Sequence, residues 1–140
     1  MSRHAAEHEF RREIPASLAA VEDVCLGVRN WAKGARLPHA FAVELLTREA
    51  LTNAAAHGCR CDASKRIRCV VRLRPGRVII AVHDQGPGFD WRAACARTPA
   101  KDDCSGRGMT IYKQYADRLR FNPRGNSVIM IERWTREGTR

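Results

Sequence analysis

Residues 66–82 constrain the fold of this chain more than any other segment. Across residues 66–74, apolar side chains alternate with arginines, which is the pattern of a β-strand with one buried and one solvated face. Pro75-Gly76 supplies a tight turn, and the apolar run 78–82 follows it directly. The segment therefore predicts an antiparallel hairpin in a sheet, and its first strand turns a basic face to solvent.

A strand and two helices are predicted ahead of this hairpin. Residues 8–14 alternate weakly and predict an edge strand. Ser17 is a good N-cap for a first helix, and Gly34 is a natural end for it. Pro38 fits the first turn of a second helix that runs to Gly58.

The part of the chain after the hairpin predicts a loop, a lid, a third helix and a closing hairpin. Residues 91–107 have no sustained period, so we expect a lid segment that is mobile without a ligand. Residues 109–116 predict the helix, and residues 118–121 and 127–134 predict the hairpin. The order predicts one α+β domain over residues 1–140. Its architecture is a two-layer sandwich with a mixed, mostly antiparallel sheet and three main helices on one face.

Composition narrows the classes of function. The chain is 44% hydrophobic, carries a formal net charge of +10, and has no apolar run long enough to span a bilayer. No signal peptide is apparent, so we expect a cytoplasmic protein with reduced thiols and no membrane partner. The positive charge is compatible with a nucleic acid, an acidic protein or a polyphosphate as ligand. It is also compatible with a solvated arginine surface that binds nothing. Because no basic strand is interleaved with aromatics, we expect no direct nucleic-acid partner.

Six cysteines raise the question of a metal site. Cys25 and Cys69 occupy apolar positions and are predicted to be core residues. Cys59 and Cys61 lie near His57, but the spacing of a zinc finger is absent. A zinc site is therefore only a minor alternative.

A polar ridge interrupts the apolar pattern of the second helix. Phe41, Leu45, Glu49, Asn53 and His57 are spaced by four residues and share one face of a helix. A carboxylate and a carboxamide one turn apart, with apolar neighbours, can hold a divalent cation and a hydroxyl group. A solvated helix edge is the alternative interpretation.

Two glycine clusters flank the predicted lid. Asp84-Gln85-Gly86-Pro87-Gly88 follows a buried strand, and Ser105-Gly106-Arg107-Gly108 precedes a helix. Glycines at a strand end let a ligand approach the backbone, and the start of a helix binds phosphate. Neither cluster is a Walker loop or a dinucleotide fingerprint, and each taken alone is also compatible with a plain turn.

The three motifs together resemble a known superfamily. Three motifs occur in this order: the residues Glu49 and Asn53 of the second helix, the Asp-x-Gly-x-Gly turn and the Gly-x-Gly turn. They resemble the N, G1 and G2 boxes of the GHKL (Bergerat-fold) ATPases. Within that superfamily the chain is most similar to the anti-sigma factor serine kinases of the RsbW and SpoIIAB type. The segments that carry this likeness are residues 48–58, 84–89 and 125–128. The likeness extends over nearly the whole chain, and it implies the Bergerat fold with ATP and Mg²⁺ as cofactors.

The resemblance also implies a role for each matching residue. Glu49 corresponds to the general base, Asn53 to the Mg²⁺ ligand, and Asp84 to the carboxylate that accepts from the adenine amino group. His57 stands where the family also has histidine, and packing is its expected role. The other matches are glycines beside the base and ribose, the lid end around the phosphates, and a hydroxyl near adenine: Gly86, Gly88, Gly106, Arg107, Gly108, Met109 and Ser127.

The function implied by the resemblance is an ATP-dependent serine-protein kinase that is also an anti-sigma factor. Such a protein phosphorylates a STAS-domain anti-anti-sigma protein, sequesters a sigma factor, and commonly forms a homodimer. Two positions depart from the family pattern: the lid end reads Gly-Arg-Gly-Met, and Asn126 replaces a frequent threonine. The alternative is an ATP-binding interaction module without kinase activity. A sensor histidine kinase is disfavoured, because it needs a helical hairpin with a phosphoacceptor histidine ahead of this domain.

Overall fold

A computed structural model describes residues 8–88, 90 and 111–134. The predicted lid over residues 91–107 and the motif residues Gly106, Arg107, Gly108 and Met109 lie outside the described residues. The elements in chain order are β1 (Glu9–Pro15), α1 (Leu18–Gly34), α2 (Ala40–Thr52), a π-helical turn (Asn53–Gly58), β2 (Arg66–Arg74), β3 (Arg77–Asp84), β4 (Arg118–Phe121) and β5 (Ser127–Arg133). Residues 111–115 are also helical and belong to the third predicted helix.

The strands form one five-stranded sheet in the order β1-β2-β3-β5-β4. The hairpin predicted from residues 66–82 is confirmed, with Arg74 opposite Arg77 at its closed end. β1 is the predicted edge strand, and its Phe10 lies opposite Val71. The sequence predicted a mixed, mostly antiparallel sheet, and every pairing among the described strands is antiparallel. β5 inserts between β3 and β4, and this insertion places the β4–β5 loop beside the end of β3.

The two long helices begin in different ways. Ser17 caps α1 as predicted, because its side chain accepts a hydrogen bond from the backbone N–H of Ala20. His39 precedes α2 with a left-handed backbone (φ 56°) and makes no side-chain cap. The second helix does run to Gly58, but its last part is a π-helical turn rather than α-helix. Such turns are rare and frequently occur at functional sites.

The core lies between the helices and one face of the sheet. Its largest fully buried side chains include Leu46 and Leu51 of α2, Ile67 of β2 and Met130 of β5. Cys25 and Cys69 are core residues, as predicted. Burial raises the pKa of Cys25 to about 11 and that of Cys69 to about 12, so both thiols remain protonated at neutral pH.

A carboxylate also lies in this core. Glu132 of β5 is 1% exposed, and its Oε1 lies 2.9 Å from Nδ1 of His39. Burial raises the pKa of Glu132 above the ordinary value of 4.5, and the hydrogen bond with His39 opposes that rise. The contact joins the start of α2 to the sheet, so it helps to set the position of the helix that carries Glu49 and Asn53.

We expect Glu132→Gln to make the stability of the folded protein less sensitive to rising pH. The raised pKa means that the folded state favours the protonated carboxyl. Its stabilising contribution is complete below the unfolded pKa and is lost as pH rises through the folded pKa. Denaturant unfolding between about pH 5 and about pH 8 should therefore show a smaller loss of unfolding free energy in the variant than in the wild type.

Glu44→Gln is the matched control, and its effect has the opposite sign. The hydrogen bond from Arg29 lowers the pKa of Glu44, so this carboxylate stabilises the protein above its unfolded pKa. Its replacement should reduce stability at neutral pH and little at acidic pH. Parallel pH profiles for wild type and Glu132→Gln would show that the buried carboxyl does not titrate as described.

Candidate functional site

A cleft opens between the end of the second helix and the sheet. The cleft is open to solvent, and its cavity volume is about 20 Å³. Its walls come from α2, the π-helical turn, the ends of β3 and β4, the β4–β5 loop and the 111–115 helix. The lining residues are Ala50, Asn53, Ala54, Gly58, Val82, Asp84, Tyr112, Phe121, Gly125, Asn126, Ser127 and Val128. Three of the predicted site residues, Asn53, Asp84 and Ser127, thus meet at one cleft from distant parts of the sequence.

Asp84 lies at the end of β3 and is only 5% exposed. Its Oδ1 accepts a hydrogen bond of 2.7 Å from the backbone N–H of Gly86. Burial raises its pKa, and the bond from Gly86 opposes that rise. A buried acceptor at the end of an apolar strand is suited to bind a donor group on a flat ligand.

The glycines around Asp84 are explained by close packing of the protein itself. A Cβ on Gly86 would lie 2.0 Å from the carbonyl oxygen of Gly58. Gly88 has a φ of +92°, and its Cβ would lie 1.8 Å from the carbonyl oxygen of Arg124. The turn after β3 is therefore pressed between the π-helical turn on one side and the β4–β5 loop on the other.

We expect Gly86→Ala to destabilise the fold by at least about 2 kcal/mol, because two backbones must separate to admit the methyl group. The matched control is Gly34→Ala at the end of α1, where a Cβ meets nothing within 4 Å. Thermal unfolding of the two variants measures the difference. Equal midpoints would show that the turn and the π-helical turn are not in contact.

Asn53 is held by a residue that the sequence did not single out. Its Nδ2 donates a hydrogen bond of 2.9 Å to the hydroxyl of Tyr112, which is 1% exposed. Burial raises the pKa of Tyr112, so the hydroxyl is neutral. The bond fixes the amide, and Oδ1 is then its remaining acceptor. Tyr112 lies in the predicted third helix, but nothing in a local pattern links it to Asn53.

Glu49 lies one turn before Asn53 on α2 and is half-buried. It is not part of the cleft lining that the described residues form. Burial raises the pKa of its carboxyl, and Arg48 opposes this only in part. A carboxylate with a raised pKa is a stronger proton acceptor than one in free solution.

His57 does not lie as expected. The sequence placed it on the same ridge as Glu49 and Asn53 with a packing role, but it is exposed. The π-helical turn begins at Asn53 and contains more residues per turn than an α-helix, so a spacing of four no longer keeps side chains aligned.

The β4–β5 loop is organised by an asparagine that sequence reasoning missed. Oδ1 of Asn122 accepts hydrogen bonds from the backbone N–H groups of Gly125, Asn126 and Ser127. Nδ2 of Asn126 donates to the carbonyl oxygen of Gly86 at 3.3 Å. Asn126, one of the two departures from the family pattern, therefore ties this loop to the turn after β3.

The metal-binding capacity of the site is small. The described residues contain no group of three His, Cys, Asp or Glu side chains that could hold an ion. Among these residues, Cys59, Cys61 and His57 do not form such a group. The oriented amide oxygen of Asn53 fits Mg²⁺, which takes oxygen ligands and commonly shares them with the phosphates of a substrate.

The arrangement of helix, turn and cleft is that of the GHKL class of ATP-binding domains. The chain belongs to the histidine kinase-like ATPase domain family, whose model matches residues 14–132. This result confirms the superfamily that the sequence motifs indicated. No helix among the described residues is long and apolar enough to cross a membrane.

One solved structure with a similar fold is the histidine kinase domain of the blue-light activated histidine kinase from Erythrobacter litoralis EL346. The TM-score is 0.51 at 17% sequence identity. The match covers 84% of this chain and 59% of that one, so this chain spans little more than half the length of that kinase structure. At this identity the likeness concerns the fold alone. A search of curated proteins found no match.

Proposed function

We propose that this chain is an ATP-dependent serine-protein kinase and anti-sigma factor of a partner-switching system. Its substrate is a serine on a STAS-domain anti-anti-sigma protein, and its second client is a sigma factor. The single observation that carries the kinase proposal is Glu49, a half-buried carboxylate with a raised pKa one helical turn from Asn53. A carboxylate at that place can take the proton of an attacking hydroxyl, a role that ATP binding alone does not require.

Each residue of the cleft has a separate task in this proposal. Asp84 accepts a hydrogen bond from the adenine amino group, which selects adenine over guanine. Asn53, oriented by Tyr112, offers its amide oxygen to Mg²⁺. The ion supplies charge neutralisation at the phosphates when it is bound. Ser127 lies in the cleft wall, and in this proposal its hydroxyl contacts adenine directly or through a water.

The transfer step needs one proton acceptor. The serine Oγ of the partner protein bonds to the γ-phosphorus, and the bond from that phosphorus to the oxygen bridging the β-phosphate breaks. ADP leaves with the electron pair of that bond. The hydroxyl proton passes to Glu49, whose raised pKa favours its acceptance.

The partners in this proposal are proteins, the location is the cytoplasm, and the related kinases imply a homodimer. The basic sheet face is compatible with a solvated surface rather than a nucleic-acid site, because some of its arginines face carboxylates. Arg72 lies 3.8 Å from Glu9, and Arg66 lies 3.7 Å from Glu13.

The test combines the purified chain with radiolabelled ATP, Mg²⁺ and a purified STAS-domain protein. We expect acid-stable phosphoserine on the STAS protein and none when its serine is replaced by alanine. Acid-labile phosphohistidine would contradict the proposed specificity. ATP binding without transfer to any STAS serine would favour the alternative, an ATP-dependent interaction module without kinase activity.

A further inference from the structure

The thiol of Cys59 lies against the carboxylate that ends β3. Cys59 follows the π-helical turn directly, is 2% exposed, and its Sγ lies 3.7 Å from Oδ1 of Asp84. The backbone N–H groups of Gln85 and Gly86 also lie next to this sulfur. The sulfur thus sits inside the turn that presents Asp84 to the cleft.

We propose that Cys59 is a positioning residue for Asp84, and that its S–H donates the hydrogen bond that fixes which carboxylate oxygen faces the nucleotide base. Oδ1 then accepts from two donors, the thiol and the N–H of Gly86. Oδ2 accepts no hydrogen bond from the described residues. It is therefore the oxygen left for the amino group of adenine.

The protonation state of the thiol agrees with a donor role. Burial raises the pKa of Cys59, and the negative charge of Asp84 raises it further. A neutral thiol carries the proton that a carboxylate can accept. The neighbouring Gly58 also packs closely against this carboxylate, because a Cβ on Gly58 would lie 2.8 Å from Oδ2 of Asp84.

This inference rests on the proposed role of Asp84 as the adenine acceptor, and the experiment separates the two. Binding of ATP and of ITP, which lacks the amino group, is measured by calorimetry for wild type, Cys59→Ala and Cys59→Ser. Cys69→Ala is the matched control, because it removes an equally buried thiol that lies on β2 opposite Val82, away from Asp84.

We expect Cys59→Ala to weaken ATP binding roughly fivefold to tenfold, the usual range for one lost hydrogen bond, with much less effect on ITP. Cys59→Ser keeps a donor and should restore most of the preference for ATP. Cys69→Ala should leave the ATP-to-ITP ratio unchanged.

Two results would overturn the inference while leaving the nucleotide site intact. One is an unchanged ATP-to-ITP affinity ratio in Cys59→Ala, whether or not both affinities fall, and the other is a serine variant that behaves like the alanine variant. Equal affinity of the wild type for ATP and ITP would instead contradict the role of Asp84 itself. Thermal unfolding of each variant confirms that the comparison is made on folded protein.

Discussion

Glu49→Gln should slow phosphate transfer to the partner serine by on the order of 10²-fold to 10⁴-fold, the usual contribution of a general base. The substitution keeps the size of the side chain and leaves Asn53, Asp84 and Tyr112 in place. ATP affinity should therefore stay within about twofold of the wild type, because binding does not use the base. Single-turnover transfer, with ATP affinity measured separately, gives both quantities.

The pH dependence of the transfer rate provides a second view of the same residue. Burial raises the pKa of Glu49 above 4.5, so the base becomes protonated, and the rate falls, as pH decreases through that raised pKa. The glutamine variant should lack this acidic limb. Glu44→Gln is the control, since Glu44 lies on the same helix but is hydrogen-bonded to Arg29. Transfer at the full rate by Glu49→Gln would show that Glu49 is not the base, and it would favour the interaction-module alternative.

Asp84→Asn should weaken ATP binding by roughly 10-fold to 100-fold, because a buried acceptor is replaced by an amide that can present a donor to the adenine amino group. The same amide can donate to the carbonyl of guanine, so GTP affinity should rise while ATP affinity falls. The fold change in the ratio of the two affinities should therefore exceed the fold change in either affinity. Calorimetric titration with both nucleotides measures this ratio.

The control for Asp84→Asn is Asp62→Asn. Asp62 is exposed and accepts hydrogen bonds only within its own turn, from the backbone and side chain of Ser64. Its replacement should leave both nucleotide affinities unchanged. An Asp84→Asn variant with the ATP affinity of the wild type would show that this carboxylate does not contact the base.

Local patterns were sufficient to predict most elements of this fold, but not the π-helical turn. The alternation in residues 66–74 and the Pro75-Gly76 turn depend on neighbours in sequence, and so does the Ser17 cap, which is why all three are confirmed. The insertion of β5 between β3 and β4 depends on contacts across the sheet, and no local pattern encodes it.

The candidate site shows the same division. Glu49, Asn53 and Asp84 were predicted as site residues because their spacing and flanking glycines form motifs, and two of them, Asn53 and Asp84, line the cleft. Tyr112 was missed because its hydrogen bond joins it to a residue that only the fold brings close. Asn122 was missed because its hydrogen bonds form within one loop. The exposure of His57 follows from the π-helical turn, since a spacing of four was assumed to continue through it.

Glycine roles were the least predictable part of the site. The sequence explained Gly86 and Gly88 by room for a ligand, whereas the structure gives them contacts with Gly58 and Arg124 backbones. Both explanations require a residue without a side chain. Only the structure shows that the atoms nearest to these glycines belong to the backbone. The contact between the thiol of Cys59 and Asp84 was equally hard to predict, because a cysteine after a helix is ordinarily a core residue.

The central claim is that the cleft between the second helix and β3 binds ATP, and hydrogen exchange with and without Mg·ATP tests it most directly. The account predicts slower exchange on ATP addition in residues 50–58, 82–88 and 122–128, with no protection from GTP at the same concentration. The outer helix groove lined by Arg29, Lys33 and Phe41 should be unaffected. Protection confined to that groove, or no ATP-dependent change in the three cleft segments, would contradict the account.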